Sequence, residues 1–243
     1  MSEVTPNSAQ AHVFVDDLAT PQLDDEDHRH LQRVLRFGPG SDVTACDGAG
    51  RWRPCRLTTG RALQVAGDVV ADERPDPPIT VAFALVKGDR PELVVQKLTE
   101  LGVDRVVPFE AERSVARWDP PKAARQVARF RSIARQAAMQ CRRTFLPDVD
   151  ELADFATVAA LPAATMAEAT GQTPSLSVRT VLVGPEGGWG PSERGFGLPL
   201  VRLGAHTLRS ETAAITAGAL LVAIRSRIVG PPVSAQVNGP HGT

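Results

Sequence analysis

The chain contains no tyrosine, and aromatic residues make up only 5% of it. A sheet that stacks exposed bases on rows of aromatic rings is therefore not expected. Cysteine is scarce as well. Cys46, Cys55 and Cys141 form no CxxC and no Cys/His cluster at zinc spacing, and their odd number argues against a disulfide framework. The expectation is a reduced, cytoplasmic protein with no metal. No apolar run approaches the roughly 20 residues that cross a bilayer. The opening MSEVTPNSAQ has neither the basic start nor the apolar stretch of a signal peptide, so no membrane partner is expected. Neither sign of charge dominates: the formal net charge is −1. Any nucleic-acid surface must then come from local segregation of cations. The dinucleotide fingerprint GxGxxG and the Walker loop are both missing, which counts against a nucleotide-binding oxidoreductase. No repeat of 20–50 residues is visible.

What is present suffices for one large or two modest cores: 243 residues, 42% of them hydrophobic. The first part reads as a small, mostly β unit over 11–72. Residues 11–18 are a strand. Residues 23–37 are a short helix, with Asp24 to Asp27 at its positive end, Leu31, Val34 and Leu35 as its buried stripe, and Gly38-Pro39-Gly40 as its stop. Residues 41–58 make two strands about Asp47-Gly48-Ala49-Gly50, a hairpin signal, and 63–72 another strand. The polar, proline-rich 71–78 is a linker. The domains are thus 1–73 and 79–230, followed by a tail, 231–243, that has no packing face and is expected to be disordered.

Beyond the linker the pattern changes. Residues 79–86 are almost continuously apolar, as in a strand buried on both faces. A helix over 91–102 begins on Pro91 and ends on Gly102. A strand over 104–110, a long helix over 120–143, strands over 179–184 and 200–204, and a helix over 211–228 complete the order. Such alternation predicts an α/β domain with a mostly parallel sheet. Residues 157–178 carry the weakest pattern, with a short strand at 164–169.

Nine basic residues and a single acid, Asp119, lie between Arg113 and Arg143. On a helical wheel Val127, Phe130, Ile133, Ala134, Ala137 and Cys141 share one face. Arg131, Arg135 and Arg142 edge it on one side; Lys122, Arg125, Arg129 and Arg143 edge it on the other. Cationic rows of this kind suit a phosphate backbone. They equally suit a solvated face that forms ion pairs with other elements. Arg29, Arg33, Arg36 and His30 form a second basic group on the first helix, which could also serve only to balance the neighbouring acids.

Two strands run into glycine-bearing turns: Val181-Leu182-Val183-Gly184-Pro185-Glu186-Gly187-Gly188-Trp189, and Leu200-Val201-Arg202-Leu203-Gly204, whose loop continues through Arg209-Ser210-Glu211-Thr212. Ligands of open α/β sheets bind beyond the carboxyl ends of strands, and glycine lets backbone approach them closely. GPEGGW (184–189) and RLGAHTLRSETAAITAGAL (202–220) resemble the two C-terminal motifs of RsmE-type RNA methyltransferases of the SPOUT superfamily. KLTELGVDRVVPFEAERSVARW (97–118), RFRSIARQAAMQCRR (129–143) and HLQRVLRFGPGSDVTACDGAGR (30–51) match in the expected order, so the resemblance spans about 12–228.

This resemblance implies a fold: an N-terminal PUA-like β-barrel that helps to hold RNA, and a C-terminal α/β SPOUT domain with a trefoil knot. It implies a homodimer with sites near the subunit interface, S-adenosylmethionine as cofactor, and methylation of uridine N3 in small-subunit (16S) ribosomal RNA, naked or in the assembled subunit. A SPOUT enzyme with another RNA target, or a non-catalytic RNA-binding assembly protein, stays open beside it. The cofactor residues carried over are Leu182, Val183, Gly184, Pro185, Glu186, Gly187, Gly188, Leu203, Gly204, Leu208, Arg209, Ser210, Glu211 and Thr212. Arg209 is the expected electrostatic group, or else pins its loop by pairing with Glu211 or with carbonyls. Glu211 and Thr212 are expected to cap the last helix, and Glu211 to meet the cationic end of the cofactor. Arg113 is expected to orient RNA. Arg33, Arg36, Arg125, Arg129, Arg131, Arg135, Arg142 and Arg143 are the RNA-binding candidates. The chain departs from the family over 157–178, which match poorly, and in three further places. The segment between Trp189 and Leu203 is short enough to leave a one-turn helix, Asp89-Arg90 stands where a more basic pair is usual, and Ser210 replaces a commoner threonine.

Overall fold

The computed structural model describes residues 4–86 and 90–229. Lys87, Gly88 and Asp89, and the tail expected to be disordered from 231 onward, lie outside the described residues.

The first unit is built on one five-stranded sheet. It contains β1 (Ala11–Phe14), β2 (Asp42–Cys46), β3 (Arg51–Arg56), β4 (Gln64–Val65) and β5 (Val70–Ala71). The order is β1-β2-β3-β4, with β5 also paired to β3. β1 and β2 are parallel and the other pairs antiparallel. The hairpin turn uses both its glycines: Gly48 and Gly50 have φ of +75° and +94°, a region closed to most side chains. The strand expected over 63–72 is broken in the middle. Arg53 donates from Nε and Nη2 to the Gly67 carbonyl, at 3.0 and 2.7 Å, which holds that stretch off the ladder.

The first helix also differs from expectation. α1 (Asp25–Arg29) is capped by the Asp24 carboxylate on the Asp27 amide, then passes into a π-helical turn, His30–Val34. Leu31 is buried, but Val34 and Leu35 are 65% and 43% exposed rather than part of the core stripe. A π turn inserts residues into the helical count and so rotates the next residues off the buried face. The chain leaves through Arg36 at φ +57°.

The second unit is a seven-stranded, wholly parallel sheet of β6 (Thr80–Ala84), β7 (Arg105–Glu110), β8 (Asp148–Val149), β9 (Ala153–Asp154), β10 (Ala164–Gln172), β11 (Thr180–Val183) and β12 (Leu200–Val201). Its order is β12-β10-β11-β6-β7-β8, with β9 also on β7. Side chains alternate between two cores, as the strand period of two demands. Val81 and Phe83 pack with α2 (Arg90–Leu101), α3 (Pro120–Gln140) and α6 (Ser210–Arg225). Ala82 and Ala84 pack with Phe109, Trp189 and α4 (Phe155–Ala159). Both faces are covered, which is why 79–86 is almost continuously apolar.

The weakly patterned stretch holds α4 and β10, and β10 is longer than the strand expected over 164–169. Its register shifts so that Ala167 and Gln172 both pair with Val201. Gly171 sits in that kink, where a Cβ would lie 2.4 Å from Val201 backbone. The one-turn helix expected after Trp189 is α5 (Pro191–Arg194). Cys46 and Cys55 are free. They face Trp52 and Val43 rather than each other, and burial pushes their thiols up to about 12 and about 11.

Candidate functional site

The strands of the parallel sheet end along one edge. Beyond β10, β11 and β12 lies a cavity of about 220 Å³. The loop after β11 forms one wall and the loop after β12 another. Val183, Gly184, Pro185, Glu186, Gly188, Leu203, Gly204, Leu208 and Ser210 from the expected set line it. Leu182 is fully buried beneath. Gly187 turns its carbonyl outward to Arg113, and Arg209, Glu211 and Thr212 are not part of the wall.

Three features give the cavity its shape. Gly188 adopts φ +69°, so the 184–190 loop can fold back. Trp189 is buried and donates its indole N–H to the Ala167 carbonyl at 3.0 Å, anchoring this loop to β10. A Cβ on Gly184 would sit 3.1 Å from that indole. Lastly, Ser210 Oγ donates to the Gly184 carbonyl at 2.9 Å, tying the start of α6 to the end of β11. The Ser210 hydroxyl thus does what the commoner threonine could also do.

The start of α6 corrects one expectation. Arg209, not Glu211 or Thr212, occupies the cap position, and no side chain caps the helix. Glu211 turns toward Arg90, with Oε1 at 3.7 Å from Nε. Arg90 Nη1 also donates to Glu186 at 2.6 Å. Arg90 therefore links the two acids that flank the loops. Arg209 is exposed and makes no side-chain hydrogen bond or ion pair among the described residues. It does not pair with Glu211. Arg113 is also exposed and donates to the Gly187 carbonyl at 3.1 Å, which brings the 112–114 loop against the glycine turn.

The long basic helix is the larger correction. Arg135 grips Asp27 at 2.6 Å and the Phe14 carbonyl at 3.2 Å. Arg142 donates to the Pro6 and Ala9 carbonyls. Arg143 donates to the Thr99 and Val103 carbonyls and lies 3.5 Å from Asp104. These three expected phosphate ligands instead hold the molecule together, because they border the buried stripe where carbonyls and acids of other elements reach them. Arg129 and Arg131 pair with Glu92 and Glu151 at 2.7 and 2.8 Å on the surface. The solvated face with distant partners thus describes this part of the helix better. Arg33, Arg36 and Arg125 are exposed and have no side-chain partner among the described residues.

Several wall residues carry no sequence signal of their own. Ala167, Glu168 and Ala169 belong to the weakly patterned stretch, and His206 and Thr207 to the loop after β12. Arg90 stands out in the sequence only as a departure from the family. No cluster of three or more His, Cys, Asp or Glu side chains that could hold a metal occurs among the described residues. None of the described helices is long and apolar enough to cross a membrane.

Known proteins resemble this chain in sequence and fold. An RNA methyltransferase domain model matches residues 72–222, and an RNA methyltransferase PUA domain model matches 23–65. The chain is 33% identical over 237 residues to ribosomal RNA small subunit methyltransferase E of Mycobacterium bovis, covering 86% of this chain and 88% of that one. It is 32% identical over 145 residues to the protein of the same name from Bacillus subtilis, covering 58% and 57%. The crystal structure of a ribosomal RNA small subunit methyltransferase E from Neisseria gonorrhoeae bound to S-adenosyl methionine superposes with a TM-score of 0.74 at 28% identity, covering 88% of this chain and 97% of that one.

Proposed function

Since the chain belongs to the family of ribosomal RNA small subunit methyltransferase E, we propose that it methylates N3 of a uridine in small-subunit (16S) ribosomal RNA from S-adenosylmethionine. The observation that carries this reading is the cavity at the strand ends, walled by two glycine-bearing loops that Ser210 ties together. The residues fit the cofactor. Most of the wall is backbone and small side chains, which can meet an adenine edge and an amino-acid end without reacting with either. The Glu186 and Glu168 carboxylates on the wall are taken up by Arg90 and Arg194, so the fit rests on the backbone and the small side chains. S-adenosylmethionine, when bound, supplies a methyl group activated by its sulfonium.

Uracil N3 is only weakly acidic. Loss of its imino proton, before or as N3 attacks the methyl, puts negative charge on N3 and the two carbonyl oxygens, and the attack then consumes that charge. Arg209 is free to meet that charge, since nothing in the described structure neutralises it. Fixed cations of this kind act on charge that develops in the transition state. Arg113 is held beside Gly187 and is assigned to orient the RNA. No strong base is needed if the proton leaves to solvent as the arginine stabilises the anion. Glu211 is assigned to setting Arg90 between the two loops rather than to capping.

The same proposal includes a cytoplasmic homodimer, in which the half-buried Ile215, Leu220 and Ile224 of α6 would be covered, and a trefoil-knotted path, in keeping with α6 starting against the end of β11. Arg33, Arg36 and Arg125 are assigned to RNA.

The deciding experiment is methyl transfer from labelled S-adenosylmethionine to undermethylated small subunits or their RNA, followed by nucleoside analysis. Label in 3-methyluridine is expected. Label in another nucleoside would keep the methyltransferase and change the target. Binding of RNA without binding of donor would point to a non-catalytic assembly protein. Arg209→Ala is expected to slow transfer by about a hundredfold while leaving donor affinity within about threefold. Full activity in that variant would remove Arg209 from the mechanism.

A further inference from the structure

The edge of the sheet has a second opening next to the cavity. β11 and β6 are neighbours. The cavity lies beyond β11, and past the ends of β6 and β7 runs a groove of about 460 Å³. Val115, Arg117 and Trp118 form one wall, and Lys122 and Arg129 of α3 contribute another. Two arginines stand between the openings: Arg113 on the Gly187 carbonyl and Arg90 on Glu186. A ligand lying in the groove would therefore reach the cavity past the residues already assigned to RNA and to the glycine loop.

The chemistry of the groove is one-sided. Arg117, Lys122 and Arg129 face a single lining acid, Glu92, which is taken up by Arg129 at 2.7 Å. Arg117 is held in place by Glu110 at 3.4 Å and by the Glu112 carbonyl at 3.1 Å, with its side chain half exposed. The Lys122 ammonium has no partner among the described residues. Beside these cations Val115 is 69% exposed, and Trp118 is half-buried against Phe130. A solvated loop would expose the charge and hide the valine. Cations for phosphate next to bare apolar surface fit a single strand whose bases are unstacked.

We propose that this groove holds the RNA strand flanking the target nucleotide, with phosphate on Lys122 and Arg117 and a ribose or base face against Val115 and Trp118. It rests on the RNA-methylation reading above and specifies where that substrate lies. Arg131, Arg135, Arg142 and Arg143, being engaged elsewhere, take no part. The RNA surface is instead the beginning of that helix and the loop before it.

The test uses the full chain, a fragment of undermethylated small-subunit RNA, and two changes at exposed positions, the charge reversal Lys122→Glu and the charge insertion Val115→Glu. Lys97→Glu serves as control, since Lys97 pairs with Glu100 on α2 outside the groove. RNA affinity, its salt dependence, KM for RNA and donor affinity are measured separately. Each groove variant is expected to weaken RNA binding and raise KM for RNA by about tenfold, with donor affinity and kcat within about twofold. Lys122→Glu should also lower the slope of log affinity against log salt by about one, as for a lost phosphate contact. Unchanged RNA affinity in both groove variants, in a protein that methylates RNA normally, overturns the groove and leaves the function standing. An equal loss in Lys97→Glu overturns it too, since the effect would then be general charge. If the unaltered protein binds donor but neither binds nor methylates RNA, the function itself fails and the groove with it.

Discussion

His12 carries two hydrogen bonds that settle its protonation. The Arg143 carbonyl can only accept, so Nε2 at 3.2 Å must donate to it, and Nδ1 then accepts from the Thr44 hydroxyl at 2.8 Å. A proton on Nδ1 would break the second bond inside a buried site. Burial first of all, with the nearby Arg142 cation adding to it, lowers the histidine from 6.5 to about 4, against the opposing pull of the Arg143 carbonyl and Asp72. Between those two pH values the unfolded chain holds a proton there and the folded chain does not. Stability from this residue is therefore complete above about pH 6.5 and drains away as pH falls toward 4, by about 3 kcal/mol in all. Urea titrations from pH 7.5 to 4 are expected to show that loss, and His12→Gln to lack this component while being less stable at neutral pH. The same acid slope in the variant would assign the loss to other groups. Nothing in the sequence marked His12. Its partners lie 32 and 131 residues away, and a histidine on a strand looks like any other until they are placed around it.

Among elements, legibility followed the strength of periodicity. β6, β7, α2, α3 and α6 fall within a few residues of where the sequence places them, because each repeats apolar residues at its own period over several turns or pairs. β12 has two residues and β10 has buried and exposed halves, so neither offers a clean period, and the wall residues on β10 are hidden with it. α5 is the instructive case. It is a single turn, too short to be stable alone, yet it holds Glu193 at 2% exposure. One carboxylate oxygen accepts from the Glu112 amide at 2.8 Å and the other from the Gly190 amide at 2.7 Å. Glu112 answers with its own carboxylate on the Ser192 amide and hydroxyl. The turn thus fastens the 112–114 loop to the end of the glycine loop. A glutamate three residues into a helix that begins Gly-Pro is a legible capping signal; its reach to Glu112 is not. Glu193→Ala leaves one buried and one part-buried amide unpaired and is expected to cost about 2–4 kcal/mol. Glu193→Gln keeps one good acceptor and should cost roughly half as much. Chemical denaturation measures both. KM for RNA should rise in each with the loosened Arg113 loop, and a variant with wild-type stability would show that the amides find other partners.

At the scale of the whole molecule, α3 belongs to both units. Its middle packs in the core of the parallel sheet, while Ala138 joins Phe14, Cys46 and Trp52 of the first unit. The arginines along its edges extend the same joint. Arg135 reaches Asp27 and Asp24 of the first helix, and Arg142 reaches the carbonyls near the N-terminus. The helix can be read from sequence as a cationic element; its use as a bolt cannot, because the first-unit groups that its arginines grip are at least 108 residues distant. The bolt has a measurable strength. Asp27 is 7% exposed at its side chain and Arg135 28%, so removing the arginine strands a nearly buried carboxylate in a partly solvated pair. Arg135→Ala is expected to cost about 2 kcal/mol, below the full cost of breaking a wholly buried pair. The loss should fall unevenly, since the contact crosses between units rather than stabilising either alone. Hydrogen exchange monitored by mass spectrometry should quicken in β1 and β2 more than in β6 and β7. Donor affinity should stay unchanged, as the cavity lies on the other side of the sheet order from this joint. Equal quickening in both units would mean that they fold as one cooperative body, with α3 as part of a shared core rather than a bolt between two.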